Sequence, residues 1–449
     1  MTVTRLSVED AQNTWLRWLA SRIKPSSAAC VPLLKAVGKR LAEDMRSPGD
    51  FPPRSVSAMD GYAFDSRSLI STQYPLRLAC VGHSMAGQPY KGIVGVGQCV
   101  QIATGADIPA GCDTVVVVER CRIEESGAHA SVVLPYIADP GNDDVTHQQL
   151  PSINEVKGAN IRSQGEVIKA GDLLLNAGQR LDFRHVTLLA ALGIEVVCVK
   201  RPPRVALFST GDELQEDAKS SLHDSNRPML NTLLTTYGVE VFDRGTLPDD
   251  QEAIARALSD VCEDVDLILT SGGVSMGPRD HLRHVLEARH SVALWQIAVR
   301  PGKSVLCGEW EGTPLLGLPG NPLAAFAMYS LLGVPALESI QGSTPLCSSI
   351  KVTLTEPVKG QRGRVDLLLG VHKWNNEKKI KEGLEQDLEV RPLSSQQSHR
   401  IDMLPHATCF ILLDTEQDFV GANQPVRIVM FDDLLGNSLM GTTALYHQE

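Results

Sequence analysis

The sequence predicts a multidomain chain of the α/β plus β class. A central α/β domain with a parallel-rich sheet follows β-rich sequence, and a small all-β domain ends the chain. Three observations predict it. Between Arg184 and about Leu337, apolar strand-like runs alternate with helical stretches, the pattern of a mostly parallel sheet covered on both faces. From Pro48 to about Asp139 the texture is short Val-, Ile- and Thr-containing runs broken by glycine. Beyond residue 340 strand-like runs return with almost no helical periodicity. A length of 449 residues is too great for one ordinary domain and predicts about three, each with its own core.

Residues 7 to 45 read as two short helices separated by Pro25-Ser26-Ser27, with Ser7 and Asp10 as a capping start. Val115 to Val118 is the clearest buried strand of the next region, and residues 139 to 157, rich in Asp, Asn and Gln, read as an exposed loop. In the α/β region the strands are Val205–Phe208, Val239–Phe242 and Asp266–Leu269. The helices between and after them are Met229–Tyr237, Asp250–Cys262 and Arg279–Ala288. Ile350–Leu354 and Cys409–Leu413 are strands of the final domain.

The composition is globular, 43% hydrophobic and 21% charged, with a net charge of -11. An acidic surface repels phosphate backbones at long range, which argues against a nucleic-acid partner but leaves room for a local basic pocket. The ten cysteines are scattered without a C-x-x-C pair, and the closest two, Cys112 and Cys121, fit no common zinc spacing. They read as reduced thiols of a cytosolic protein. The charged N-terminal stretch lacks the core of a signal peptide. No apolar run approaches the roughly 18 residues that span a bilayer, so no membrane association and a cytoplasmic location are expected.

The chemistry concentrates in three glycine turns, each after an apolar strand. They are Ser209-Thr210-Gly211-Asp212-Glu213, Thr270-Ser271-Gly272-Gly273-Val274-Ser275-Met276-Gly277, and Gly317-Leu318-Pro319-Gly320-Asn321-Pro322. In an open parallel sheet these turns share one edge, where ligands bind. Glycine admits close backbone approach, and the helices that follow aim free N–H groups at an anion. A single such glycine is as well explained by a tight turn; three together favour a phosphorylated or oxyanionic ligand. None is a Walker or dinucleotide fingerprint.

Asp212, Glu213 and Asp280 would repel phosphate unless a cation intervened, and hard carboxylate oxygens beside phosphate suit Mg²⁺. Complementing a helix dipole explains Asp280 almost as well. Lys303 in Arg300-Pro301-Gly302-Lys303-Ser304 and Arg227 in Asp224-Ser225-Asn226-Arg227 add positive charge, the guanidinium suited to forking onto an oxyanion. Each taken singly also fits an incidental surface charge. His281 and His284 lack a third ligand and read as a helix face. No G-x-S-x-G elbow or Ser-His-Asp order supports a hydrolase.

With these residues in view, further motifs fall into a known order. Ser57-Ala58-Met59-Asp60-Gly61-Tyr62-Ala63, Thr104-Gly105-Ala106, Pro109-x-Gly111-Cys112-Asp113, Asn160-Ile161-Arg162, the three glycine turns, Asp224-Ser225-Asn226-Arg227 and Pro301-Gly302-Lys303 resemble the molybdopterin molybdenumtransferase (molybdenum insertase) family, and are similar to the gephyrin E domain. The resemblance spans roughly residues 7 to 340 and is weaker beyond.

The resemblance implies a discontinuous linker domain of residues 7–46 and 155–186, an inserted β-rich domain at 47–154, a molybdopterin-binding α/β domain at 187–340 and a C-terminal β-barrel at 341–449. It implies a homodimer whose shared site brings Asp60 and Thr104 toward the partner's Asp212 and the partner's Asp280. It implies Mg²⁺-dependent chemistry on adenylylated molybdopterin, with AMP released and molybdate, the second substrate, held by the dithiolene. On this basis Asp60, Asp224 and Asp280 are the expected catalytic carboxylates, and Asp212, Glu213 and Asp280 the metal ligands. Substrate binding is expected at Thr104, Ser209, Gly211, Asn226, Arg227, Ser271, Gly272, Gly273, Ser275, Lys303, Pro319, Gly320, Asn321 and Pro322.

Four positions depart from the family pattern. Val167 follows Arg162-Ser163-Gln164-Gly165-Glu166 where an Asp is usual; Val196 stands in an acidic place, with Glu195 one step away; Ala324 replaces a serine and Ser304 a proline. They motivate an alternative, a non-catalytic paralogue that carries molybdopterin or its nucleotide. The adenylyltransferase of the preceding step shares a similar α/β domain, but the linker and β-rich domains belong to the insertase arrangement.

Overall fold

The computed structural model describes residues 5–23, 27–70, 76–126, 129–134, 156–211, 214, 223–274, 281–289, 291–343, 349–375 and 387–435. The chain forms two compact units, one made of Met1–Glu43, Gly178–Val186 and Val196–Glu449, the other of Asp44–Ala177 and Thr187–Glu195.

The first unit is organised by a six-stranded sheet. Its order is Glu240–Leu247, Arg204–Thr210, Leu267–Ser271, Thr313–Leu318, Ser304–Trp310, Val292–Gln296. The first four strands are mutually parallel and the last two join antiparallel. Successive side chains on a strand point to opposite faces, and here both faces are buried. Val205, Leu207, Leu267, Leu269, Leu316 and Leu318 enter one core, while Ala206, Phe208, Ile268, Leu306 and Leu315 enter a second. That two-sided burial is why these strands read as continuous apolar runs rather than alternating ones.

Helix Val8–Ala20 packs on the first of these cores. Its cap is the predicted one, with the Ser7 hydroxyl oxygen accepting from the Asp10 backbone N–H at 3.0 Å. Ala11, Trp15 and Leu19, four residues apart, form its buried stripe. The second helix expected before residue 45 is not formed. Ala28–Pro32 is instead a strand, antiparallel to Val196–Lys200. Pro32 disfavours helical backbone at Val31, and the partner strand supplies the hydrogen bonds that a helix would have made internally. The register sets Cys30 opposite Cys198, and their sulfurs are joined in a disulfide. The reading of uniformly reduced thiols is corrected for this pair.

The reading of no membrane-length apolar run is also corrected. Pro322–Ile340 is 19 residues of mean hydropathy 1.5. Length and composition alone qualify it. The fold spends it on the core: 83% of the stretch is buried, as two α-helical segments joined by a π-helical turn at Tyr329–Gly333. From it Phe326 meets the rings of Phe410 and Phe431 at 5.1 and 4.9 Å, tying the α/β core to the C-terminal strands.

Those strands close on themselves, as expected of a barrel. Val365–Asn375 pairs with Asp387–Pro392, which pairs with Ile350–Leu354. Ile350–Leu354 pairs with Pro425–Met430, then Cys409–Leu413, which returns to Val365–Asn375. Val352, Leu354, Val390, Ile411, Leu413 and Ile428 fill the interior.

The second unit is β-rich. Its largest sheet runs Thr114–Val117, Gly61–Phe64, Gln98–Ile102, Leu76–Ser84, His129–Leu134, Arg122–Ser126. Val56–Ser57 pairs with Ile161–Arg162, and Met45–Arg46 with Leu173–Leu175. Gly61 is obligatory by contact rather than by backbone angle, since a Cβ there would stand 1.9 Å from the Val116 carbonyl oxygen. Gly61→Ala is therefore expected to destabilise this unit by about 1–3 kcal/mol, the usual scale of an overpacked core. Chemical denaturation of the variant beside the parent checks it.

Candidate functional site

The four parallel strands end along one edge at Thr210, Leu247, Ser271 and Leu318, and the turns after them carry the polar groups of the first unit. The centre is Asp224. One carboxylate oxygen accepts the backbone N–H groups of Asn226 and Arg227, both at 3.1 Å; the other accepts the Ser209 hydroxyl and Arg227 Nε. Helix Asn226–Tyr237 thus begins on an internal anion, so these two N–H groups are not left for a ligand as the sequence suggested. Arg227 donates its Nη1 to Asp243 at 3.0 Å. Burial acts to lower the pKa of Arg227, but its bonds to Asp243 and Asp224 outweigh that and hold it above the ordinary value. A guanidinium engaged by two carboxylates is an organising group, not the free fork expected from sequence.

Asn226 links two turns. Its Nδ2 donates to Ser271 Oγ at 2.6 Å, to the Gly320 carbonyl at 2.8 Å and, at 3.5 Å, to that of Pro319. Thr210 Oγ1 donates to the Ser271 carbonyl at 3.2 Å, and Gly272 N–H to that of Leu318 at 2.9 Å. Gly272 and Gly273 have φ of +92° and +66°, and a Cβ on either would lie within 3 Å of Thr210 Oγ1. Only glycine lets the second turn sit against the first. Asn321 caps the next helix by accepting from Ala324 N–H at 3.2 Å, with Pro322 at its first position. Ala324, in place of the family's serine, is buried.

Two buried polar atoms in this network lack a hydrogen-bond partner among the described residues, Asn226 Oδ1 and Thr270 Oγ1. Leaving such an atom unsatisfied costs about 1–3 kcal/mol; Asn226 Oδ1 lies at the turn of Gly320, whereas Thr270 Oγ1 is fully buried beneath Gly317.

The structure therefore brings together Ser209, Asp224, Asn226, Arg227, Ser271, Gly272, Gly273, Pro319 and Gly320, with Gly211 buried at the end of its strand. It does not bring Lys303 into this network; that residue is exposed on its turn. Asp212, Glu213, Ser275 and Asp280 lie outside the described residues. Among the described residues no group of three His, Cys, Asp or Glu side chains is placed to hold a metal, and both Asp224 oxygens are already occupied. The described donors do not make a Mg²⁺ site. Sequence reading missed Asp243, Thr210 and Thr270 as site residues. A signal existed for the threonines, since each is a hydroxyl at the C-terminal end of an otherwise apolar strand; Asp243 gave none.

The second unit holds the other predicted pair. Asp60 Oδ1 accepts Thr104 N–H at 2.7 Å and its hydroxyl at 3.0 Å, on an exposed turn. The backbone N–H first, and then the hydroxyl, hold the Asp60 carboxyl below the ordinary carboxylate range. This preference for the charged form contributes fully above the ordinary carboxylate pKa, and is lost as pH falls through the lowered one. Thr104→Val, which keeps the N–H donor and deletes the hydroxyl, is expected to move the Asp60 titration part of the way back up. Carboxyl carbon chemical shifts followed from pH 6 down to about 2 read the shift directly.

Comparison with known proteins agrees with this architecture. Residues 6–193 match the family model of the MoeA N-terminal region (domain I and II), and residues 206–339 that of a probable molybdopterin binding domain. The chain is 34% identical over 440 residues to the molybdopterin molybdenumtransferase of Haemophilus influenzae, covering 96% of this chain and 100% of that one. It is 33% identical over 340 residues to that of Staphylococcus aureus, covering 73% and 75%. Its fold matches the molybdopterin biosynthesis moeA protein of Pyrococcus horikoshii with a TM-score of 0.75 at 24% identity, over 95% of this chain and 100% of that one. The chain belongs to the molybdopterin molybdenumtransferase family.

Proposed function

We propose that this chain is a transferase that inserts molybdate into adenylylated molybdopterin, releasing AMP and forming molybdenum cofactor. The family's role in molybdenum cofactor biosynthesis supports the reading, and its end product follows from it. The observation that carries it is the pair of unsatisfied buried groups, Thr270 Oγ1 and Asn226 Oδ1, at the C-terminal edge of the parallel sheet. Thr270 can donate to a phosphate oxygen, and Asn226 Oδ1 can accept from an N–H or hydroxyl of a pterin or ribose. Ser271, whose oxygen is taken by Asn226, has its own proton free for a phosphoryl oxygen. Gly272 and Gly273 let that substrate approach the backbone. Asp224 holds the start of helix Asn226–Tyr237 and the Ser209 turn in register, and so acts by positioning.

The same proposal includes a homodimer, with Asp60 and Thr104 completing the site in the partner, a cytoplasmic location, and Mg²⁺ held by Asp212, Glu213 and Asp280. When bound there, Mg²⁺ would neutralise phosphate charge. Purified protein given adenylylated molybdopterin, molybdate and Mg²⁺ is expected to release AMP in a molybdate-dependent way. EDTA should stop the release and excess Mg²⁺ restore it; AMP release indifferent to EDTA would remove the metal from the proposal. Thr270→Val and Ser271→Ala should each lower kcat/KM by about ten- to a hundredfold, equivalent to about 1.4–2.7 kcal/mol of lost transition-state stabilisation.

The exposure of Val167, with Glu166 already accepting the Ser163 N–H at 2.8 Å, favours a second reading as a carrier. Glu166, the neighbouring carboxylate, is held to its own turn through Oε2. Tight substrate binding without AMP or finished cofactor would establish the carrier and sink the insertase.

A further inference from the structure

At the far end of helix Asn226–Tyr237, about 16 Å from Asn226 at 1.5 Å per residue, lies a second polar cluster that the proposed chemistry does not use. Residues 40–41 bridge to residues 179–180 and 199–200. This sets Arg40 directly opposite Arg180, with Lys200 N–H donating to the Arg40 carbonyl at 2.8 Å. Like charges opposed across strands repel, so the arrangement needs negative charge to offset it.

The described residues supply too little. Glu338 takes Arg40 Nη2 on both oxygens, at 2.7 and 2.5 Å, and also accepts the Tyr237 hydroxyl. Arg40 donates Nε to Gln341 Oε1 at 2.7 Å and Nη1 to the Gly178 carbonyl at 2.9 Å, while Lys200 Nζ donates to the Gln341 carbonyl at 2.6 Å. Those acceptors close the C-terminus of helix Val334–Ile340, an end worth about half a negative charge. Three cations thus face one carboxylate and a half-charge. Arg180 has no hydrogen-bond acceptor and no ion pair among the described residues; its recorded contact is the Tyr237 ring at 5.7 Å.

One side chain of the cluster lacks a partner. Ser343 Oγ is buried and has no hydrogen-bond partner among the described residues. Gly342, at φ +66°, ends helix Val334–Ile340 in the left-handed conformation and lies beside Lys200 Nζ. Burial, and then the nearby Arg40, depress the pKa of both Arg180 and Lys200, as unbalanced cations require.

We propose that Arg180, Lys200 and the Ser343 hydroxyl bind a small doubly charged tetrahedral oxyanion with the chemistry of sulfate or hydrogen phosphate. The anion offsets the remaining excess of positive charge, accepts from Arg180 and Ser343, and clamps the Gly178–Arg180 segment to the end of helix Val334–Ile340.

The test is calorimetric titration and thermal unfolding of the full chain with sodium sulfate or phosphate, against sodium chloride at matched ionic strength. Expected is a saturable event that raises Tm, weakened at least tenfold in Kd by Arg180→Gln and several-fold by Lys200→Gln. In chloride alone Arg180→Gln should unfold no earlier than the parent, because it deletes an unbalanced cation. The same variant subtracts the general stabilisation that sulfate gives any protein. Asn226→Ala should keep the response. The proposal fails if Arg180→Gln lowers Tm in chloride while sulfate affinity is unchanged, since Arg180 is then a structural residue. It also fails if the response vanishes in Asn226→Ala and survives in Arg180→Gln, since the anion then sits at the strand-end site.

Discussion

The pairing of Arg204–Thr210 with Leu267–Ser271 is the constraint from which the rest of the first unit follows. Both strands bury side chains on both faces, so neither can spend a position on a polar group until it reaches its end. The hydroxyls of Ser209, Thr210, Thr270 and Ser271 gather at one edge for that reason. Glycine must follow them, because the next turn crosses directly over Thr210. The helix that leaves this edge then takes its capping charge from Asp224. A site of this kind is less a set of residues placed on a fold than the place where the burial rule of a parallel sheet stops applying.

That rule also explains what could be read from sequence. Runs such as Val205–Phe208 and Asp266–Leu269 are unambiguous because both cores demand apolar side chains, and the barrel strands Ile350–Leu354 and Cys409–Leu413 are bounded by turn residues. The glycine turns were legible for the same reason, being the only punctuation between buried elements. Ala28–Pro32 was not, because it is short and largely exposed, and what makes it a strand is its partner nearly 170 positions away. The Cys30–Cys198 pair was hidden by the same separation. Pro322–Ile340 is ambiguous in another sense: its composition would suit a membrane, and its packing, 83% buried, assigns it to a core.

Charged groups were the least legible. Arg227 looked free in sequence and is held by two carboxylates, one of them on the neighbouring strand. Asp224 reads locally as a capping residue and does hold the start of its helix, while the resemblance made it catalytic. Arg180, which carried no signal at all, makes no ion pair among the described residues and shares the field of Glu338 with Arg40. Electrostatic roles depend on which side chains meet across the fold, and hydrophobic periodicity says nothing about that. The Asp60–Thr104 pair was found through motif order, and its short separation across one turn made it local enough to survive.

The ring of five strands at the C-terminus has a mechanical meaning as well. A closed sheet offers no row of unpaired backbone groups to a neighbouring molecule, whereas an open one is a template for strand addition. Closure here depends on Pro425–Met430, which bridges Ile350–Leu354 and Cys409–Leu413. Until that last strand is synthesised, both of its neighbours are exposed edges lined by Val352, Leu354, Ile411 and Leu413. A product stopped short of residue 425 would keep both edges open, and is a candidate for clearance rather than a shorter working protein.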